Sequence, residues 1–407
     1  MRILIVSQYF WPEQFRINDL ALALRDRGHE VNILTGIPNY PAGRFFPGYG
    51  LRSVGAGDYA GIPVFRVPLV PRGDGRAARL FLNYASFALC ASVLALFRCR
   101  RRYQVLFVYQ PSPVTVGLPA ILVKFVTGAP IVFWVQDLWP DSIMAAGGVR
   151  SRWILSLVEK LVRFIYARCD RILVQSRAFI PRVIKQGGAL ANVRYFPNWA
   201  ETVYSARADD RKIEMQSKEE RKFRVLFAGN LGEAQSLGTL LNAADRLRTH
   251  TDIEWIVVGS GRRRSWFEQE IQKRNLTPNV TLLDSVSAEM MPRYMNVAKV
   301  LLVTLRPDPV LALTIPSKIQ SYLAFGKPVV GAIDGEGAKI ISESGAGRAV
   351  PAGDGDALAK AILELYSATP ETRAEMGRRG RAYYERFFDR DRLIGELETW
   401  LLELTES

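Results

Sequence analysis

Short apolar runs recur along the chain, each followed by a turn and then by apolar residues at helical spacing. In the first half the runs fall at 3–7, 30–35, 64–70, 104–109, 130–135, 171–176 and 193–198, and between them lie helical stretches such as 16–27, stopped at Gly28. Nearly continuous β-branched and aromatic runs separated by helices predict parallel strands covered on both faces. The pattern lapses over residues 200–222, which are charge-rich and poor in large apolar residues, and restarts at 224–230. It continues at 254–259, 279–284, 300–305 and 328–333, and a helical, aromatic segment follows from about 380. The expected organisation is an N-terminal α/β domain over 1–199, a linker over 200–222 and a second α/β domain over 223–380. A last helix over 381–407 is expected to return to the first domain. Two doubly wound Rossmann-like domains predict a cleft between them, with ligands at the carboxyl ends of the strands.

Length agrees with that division, since 407 residues exceed one ordinary core. Hydrophobic residues make up 48% and charged residues 23%, a globular balance. Cys90, Cys99 and Cys169 have no metal-site spacing and cannot complete a disulfide set, which favours a reducing compartment. The first residues, MRILIVSQYF, read as a core strand and not a signal peptide.

The formal charge of +14 calls for an anionic partner. No zinc-finger, RNA-recognition or basic-zipper pattern is present, so nucleic acid is not expected. Residues 80–97 are uncharged and flanked by Arg76, Arg79, Arg98, Arg100, Arg101 and Arg102. At a rise of about 1.5 Å per residue the segment is about 27 Å long, borderline for a bilayer. Strands of one predicted sheet lie on both sides of it, which argues against a single crossing. A buried core helix and a helix lying in an anionic membrane surface both remain open. Segment 149–168 has a basic, amphipathic pattern that suits either the same surface or an ordinary core-facing helix.

Candidate chemistry gathers at the ends of strands. After 224–228 come Gly229-Asn230-Leu231-Gly232-Glu233-Ala234-Gln235 and then a helix, a place where backbone N–H groups can approach a phosphate. Further on, Thr314-Ile315-Pro316-Ser317-Lys318 opens a helix that ends at Gly326. Lys318 places a cation on the first turn of that helix, where it can face an anionic ligand. Thr314, Ile315 and Ser317 offer backbone contacts, while Pro316 has no N–H to give. In the first half, Gln136, Asp137 and Asp141 follow the run 130–135. If that stretch opens a helix, the two aspartates share one side, where they either orient acceptor hydroxyls and serve as a base or simply cap the helix. Glu13, Asn18 and Asn39 follow the first two strands as weaker acceptor candidates. His29 sits in a helix-to-strand turn and His250 in a polar loop, so histidine catalysis is not expected.

The stretch LALTIPSKIQSYLAFGKPVV at 311–330 resembles the signature of glycosyltransferase family 4. The motifs at 35–41 (TGIPNYP), 134–141 (WVQDLWPD), 196–199 (FPNW) and 228–237 are similar to the branch that builds bacterial O-antigen, capsule and colanic-acid-type polysaccharides. These matches run in order over about residues 1–335. The chain departs from the family at several points. Leu313 and Ser321 stand where two glutamates, eight apart, are usual, and Ser321 replaces the one that holds ribose hydroxyls. Gln320 or Glu336 is the expected compensation. Asn230 and Gln235 stand where the wider family has Arg and Lys, and Gln136 is near the place of a histidine.

The resemblance implies a GT-B fold. It also implies retaining transfer of a sugar, without an essential metal or other cofactor, from a nucleotide-diphosphate donor to a polyprenyl-diphosphate-linked saccharide. The donor is expected to be UDP-linked, with an N-acetylated 6-deoxyhexose such as L-fucosamine as its sugar. The enzyme is expected on the cytoplasmic face of the membrane. Asp137 and Lys318 are the catalytic candidates. Gly229, Asn230, Gly232, Gln235, Thr314, Ile315, Ser317 and Ser321 are the donor-binding ones. Glu13, Asn18, Asn39, Gln136 and Asp141 are the acceptor candidates. A GT-B-type sugar-nucleotide 2-epimerase and a non-catalytic partner in polysaccharide assembly are the alternatives. The first is disfavoured by the scarcity of histidine, and the second is kept open by the missing glutamates.

Overall fold

A computed structural model describes residues 1–98, 103–145, 151–205 and 222–406. The chain forms two compact units, Met1–Pro197 with Asp391–Ser407, and Asn198–Arg390.

The first unit is built on eight strands: β1 (Arg2–Val6), β2 (Glu30–Gly36), β3 (Gly55–Tyr59), β4 (Ile62–Val67), β5 (Val105–Gln110), β6 (Ile131–Val135), β7 (Arg171–Val174) and β8 (Val193–Tyr195). Their order across the sheet is β3-β4-β2-β1-β5-β6-β7-β8. All neighbours run parallel except β3 and β4. Every residue of β5 and β6 is buried, which is why these runs carry no alternation. The direction of winding reverses at β1 and β5, so the loops after these two strands flank a switch point.

The hairpin strand β3, GAGDY, lacks the apolar run by which the others are recognised. It forms because Ala60 and Gly61 both take positive φ, 52° and 83°, the geometry of a tight two-residue turn between antiparallel strands.

The apolar segment expected at 80–97 is a helix, Ala77–Arg98, between β4 and β5 of one sheet. It packs on the helix Gly117–Thr127 and against β2 and β4, burying Asn83, Phe87, Ala88, Ala91 and Ala95. Its other side exposes Phe81, Leu82, Leu89, Val93 and Phe97. Because it starts and ends at one sheet, the fold leaves it no single crossing. Cys99 and the arginines at 100–102 lie outside the described residues; Cys90 and Cys169 are free thiols. The amphipathic stretch expected at 149–168 gives the helix Arg152–Tyr166, which buries Val162, Ile165 and Tyr166.

The second unit has six parallel strands: β9 (Phe223–Ala228), β10 (Ile253–Val258), β11 (Val280–Leu283), β12 (Val300–Thr304), β13 (Val329–Ala332) and β14 (Gly347–Val350). The order β11-β10-β9-β12-β13-β14 places the switch point between β9 and β12. The edge strand β14, GRAV, is too short and too polar to announce itself in the sequence.

The helix Ser317–Phe325 ends in Gly326, whose φ of 78° is a left-handed cap that costs glycine little. The helix Pro370–Phe387 packs against it so closely that a Cβ on Gly377 would stand 2.1 Å from the Gly326 carbonyl oxygen.

Residues 206–221 of the expected linker lie outside the described residues. Its first residues form a helical turn, Thr202–Ser205, that packs on Ser317–Phe325. The segment expected to be one returning helix is two. Pro370–Phe387 belongs to the second unit, and Arg390–Glu406 contributes Leu393, Ile394, Leu397 and Leu401 to the core of the first. His29, at 2.8 Å from Glu398, and Arg27, at 3.0 Å from the same carboxylate, fix this last helix, giving His29 the structural place expected of it.

Candidate functional site

In the second unit, the loop after β9 and the start of the helix Ser317–Phe325 meet at the switch point. Gly229 has a φ of 128°, and a Cβ there would lie 2.7 Å from the Lys318 Cε. The glycine therefore leaves the room through which the lysine reaches the loop. Lys318 Nζ donates to Gln235 Oε1 at 2.7 Å and sits 3.7 Å from the centre of the Phe227 ring. The side chain is only partly open to solvent along its length, but its ammonium end is desolvated, and burial pulls it down to about 7. A cation held against an aromatic face without a carboxylate is poised to gain from an incoming anion.

The loop itself is anchored from both sides. Thr304, at the end of β12, donates its hydroxyl to the Gln235 carbonyl, and Arg306 N–H bonds the Ala234 carbonyl at 2.9 Å. Leu231 N–H reaches the Ser260 carbonyl at 2.8 Å. Gly259 and Gly261, which follow β10, let their loop run against the first; a Cβ on Gly259 would fall 1.9 Å from the Gly229 carbonyl oxygen. The sequence signal was there in Val-Gly-Ser-Gly at 258–261, a second glycine turn directly after a strand. Asn230 is exposed at the tip of the first loop, and Gly232 lies against its side chain.

Ahead of the helix, Ile315 is buried and Ser317 exposed, while the Thr314 hydroxyl turns back to the Val310 carbonyl at 3.4 Å. Leu313 closes a 3-10 turn, Leu311–Leu313. The Ser321 hydroxyl stands 3.0 Å from Glu201 Oε2 and 3.3 Å from the Ser317 carbonyl.

The carboxylate that the Ser321 hydroxyl bonds thus belongs to Glu201. Gln320 is fully buried, with its amide nitrogen, in the orientation that satisfies it, turned to the Pro316 carbonyl at 3.0 Å. Glu336 opens the helix Gly335–Glu343, which packs on the Leu311–Leu313 turn. Glu201 was missed because it belongs to a charge-rich stretch with no periodic pattern, and only the three-dimensional fold brings it to Ser321.

In the first unit, the acceptor candidates form one buried network after β1 and β2. Glu13 accepts N–H bonds from Asn39 (2.8 Å), Tyr40 (2.7 Å) and Phe10 (3.1 Å). Burial pushes its carboxyl up to about 7 against those bonds. Asn18 donates to the Glu13 carbonyl at 2.7 Å, and Asn39 Oδ1 accepts from Arg72 N–H at 3.1 Å. With its carboxylate committed to three backbone groups, Glu13 serves as a loop clamp.

Two neighbours of this network were not anticipated. Asn83, from the apolar helix, accepts from Gln8 Nε2 at 2.7 Å, and Arg72 lies over the rings of Tyr9, Tyr40 and Tyr84. An uncharged segment offered Asn83 as its single amide, a signal that could have been read as a polar contact inside a core helix.

Asp137 follows β6, and burial raises its carboxyl to about 7, opposed by the side chains of Ser142 and Trp139. Gln110 Nε2 holds the Asp137 carbonyl at 3.1 Å, and Gln136 N–H bonds the Gln110 carbonyl at 3.0 Å. The expectation that one helix presents both aspartates is not met, because the helix Asp141–Ala145 begins only at the second. Asp141 instead lies 3.9 Å from Arg182, beside a cavity of about 310 Å³ also lined by Arg152 and Lys185. His250 is half-buried and edge-on to Tyr366.

Two α/β units built on parallel sheets, each with its candidate residues at the carboxyl ends of the strands, define a GT-B fold. Residues 222–368 match the family of group 1 glycosyl transferases, and residues 14–199 match the glycosyl transferase 4-like domain. The chain belongs to these group 1, GT4-type glycosyltransferases and uses a nucleotide-sugar donor.

Among curated relatives, it is 28% identical over 344 residues to the colanic acid biosynthesis glycosyl transferase WcaI of Escherichia coli, covering 80% of this chain and 82% of that protein. It is 26% identical over 288 residues to the glycosyltransferase WbjE of Pseudomonas aeruginosa, covering 68% of this chain and 70% of that one. Among solved structures, HepE of Anabaena in complex with UDP superposes with a TM-score of 0.72 at 17% identity, over 99% of this chain and 100% of that one. HepE has also been solved with UDP-glucose.

Proposed function

We propose that this enzyme transfers a sugar, with retention of anomeric configuration, from a UDP-linked donor to a polyprenyl-diphosphate-linked saccharide during assembly of a bacterial surface polysaccharide. The observation that carries the donor half is the Lys318 ammonium, held at Gln235 beside the Gly229–Gly232 loop. A diphosphate seated there meets backbone N–H groups, the Gln235 amide and a desolvated cation. In the reaction the acceptor hydroxyl oxygen bonds to the anomeric carbon on the face from which the diphosphate departs. The carbon–oxygen bond to the diphosphate breaks, the hydroxyl proton passes to the leaving oxygen, and Lys318 offsets the charge that develops on it.

The acceptor half is supported by the relative involved in colanic acid synthesis and by an apolar face on the first unit. Phe81 (70% exposed), Leu89 (68%), Phe125 (88%) and Trp153 (74%) project from three helices, two of which pack directly on the helix Gly117–Thr127. Basic side chains, including Arg76 and Arg163, stand exposed on the same helices or at their ends. This combination suits shallow insertion into an anionic membrane from the cytoplasmic side, where a lipid-linked acceptor resides. Asp137 orients the acceptor hydroxyl in this reading, and the departing diphosphate oxygen takes its proton.

The experiment is a panel of labelled nucleotide sugars, a UDP-linked N-acetylated 6-deoxyhexose among them, incubated with the enzyme and a bacterial lipid fraction. Labelled lipid product with an unchanged anomeric configuration supports the reading. Intact UDP binding with no transfer from any donor overturns it.

A further inference from the structure

We infer that Glu201 and Ser321 form the hydroxyl-reading end of the donor site, with Glu201 providing the carboxylate that receives the ribose diol of the nucleotide. The inference rests on the proposal that the diphosphate lies at Lys318 and the Gly229–Gly232 loop.

Ser321 follows Lys318 by three residues on one helix, so the two side chains share a face about 5 Å apart along the axis. A nucleotide whose diphosphate meets Lys318 therefore brings its ribose within reach of Ser321. A serine hydroxyl there is a poor partner for a diol. It has one proton, already shared between the Glu201 carboxylate and the Ser317 carbonyl, and it is a neutral acceptor.

Glu201 changes the chemistry at this point. Its carboxylate lies 3.0 Å from Ser321 Oγ, and the helical turn Thr202–Ser205 that follows it packs on the helix bearing Ser321. An ionised carboxylate has about four acceptor positions, of which the serine takes one, and charge-assisted bonds to hydroxyls are the stronger kind. Its negative charge also repels phosphate. A cation at one end of the helical turn and an anion at the other therefore admit the nucleotide in one direction only. Ser321 then acts as a positioning residue, keeping the Glu201 carboxylate at the helix surface.

The test is titration calorimetry with UDP and 2′-deoxy-UDP. The proteins are the full-length enzyme, Glu201→Gln, Glu201→Ala, and Glu201→Ala combined with Ser321→Glu; circular dichroism checks that each is folded. The unaltered enzyme is expected to favour UDP by roughly tenfold, the scale of one charge-assisted hydrogen bond. Glu201→Gln and Glu201→Ala are expected to lose that preference together with a similar factor in UDP affinity. Ser321→Glu is expected to restore the preference in the Glu201→Ala background, a result that a merely structural role for Glu201 does not produce. A folded Glu201→Ala that still prefers UDP as the parent does overturns the inference and leaves the donor site standing. Failure of the unaltered enzyme to bind UDP overturns both.

Discussion

Lys318 donates to Gln235 across 2.7 Å, and among the described residues no carboxylate pairs with it. The lysine thus has a hydrogen bond to orient it and gains from an anion that arrives. Replacing Lys318 with Ala is expected to lower kcat/KM by about a hundredfold or more, on the scale of losing one preorganised charge-stabilising group. The melting temperature should stay within a few degrees, because the ammonium is a desolvated charge whose removal costs the fold little. Steady-state kinetics and a thermal melt on the same sample check both; an equal loss of activity and stability would return Lys318 to a structural role.

Proton uptake gives an independent measure of the same group. With the folded ammonium at about 7, Lys318 is mostly neutral at pH 8 in the empty enzyme. A bound diphosphate favours the charged form, so UDP binding at pH 8 should take up close to one proton. The apparent heat should then vary with the ionisation enthalpy of the buffer, and Lys318→Met should abolish that variation. The sign for stability follows from the same shift. The unfolded lysine, near 10.4, binds more protons than the folded one between about pH 7 and 10, so this group makes the empty enzyme more stable as pH rises through that window.

Gly229→Ala is expected to raise the donor KM and to destabilise the fold by about 1–3 kcal/mol, from strain at a φ of 128° and from the methyl group's approach to Lys318. Nucleotide titration and denaturant unfolding measure the two effects. An unchanged KM would mean that the lysine does not need this path.

Asp137→Asn separates catalysis from burial. The substitution should reduce transfer by about a hundredfold if the carboxylate orients the acceptor hydroxyl. Its stability effect has a definite sign. The folded carboxyl, at about 7, holds a proton that the unfolded one, near 3.9, has lost, so the parent's stability falls as pH rises from about 4 to 7 and levels off above. The Asn variant should lack that fall and gain on the parent across the same window; melts at pH 5 and pH 8 decide it.

For the apolar face, the combination Leu89→Glu, Phe125→Glu and Trp153→Glu is expected to cut binding to anionic vesicles by tenfold or more. Burying one such side chain contributes about 1.5–3 kcal/mol. All three are largely exposed, so the fold should tolerate the change. Vesicle sedimentation with and without anionic lipid provides the readout, and undiminished binding would remove this face from the proposal.

The architecture was legible because its central strands are buried on both sides and so spell themselves as uninterrupted apolar runs. Only β3 and β14 escaped, one set by a turn and the other by its place at an edge. The meeting of Lys318 with the glycine loop was foreseeable for a related reason, since both stand at the carboxyl ends of strands, and the structure brings them into contact. Glu201 was not. Its meaning depends on a helix more than a hundred residues away, and nothing in its own neighbourhood marks it. Glu13 is a different case: a carboxylate after a strand suggested chemistry, and the loop it ties together takes three of its roughly four acceptor positions.

The chain leaves its first unit at Pro197 and comes back at Asp391 to finish it. A gene cut once near residue 200 would strand the N-terminal sheet without the helix whose Glu403 pairs with Arg171 at 2.7 Å and whose Glu398 anchors His29. Exchanging donor specificities between enzymes of this build is therefore an insertion, with two junctions to be matched, and not a splice of front to back. Recombination that alters which sugar is delivered must keep both ends of the gene from the same parent.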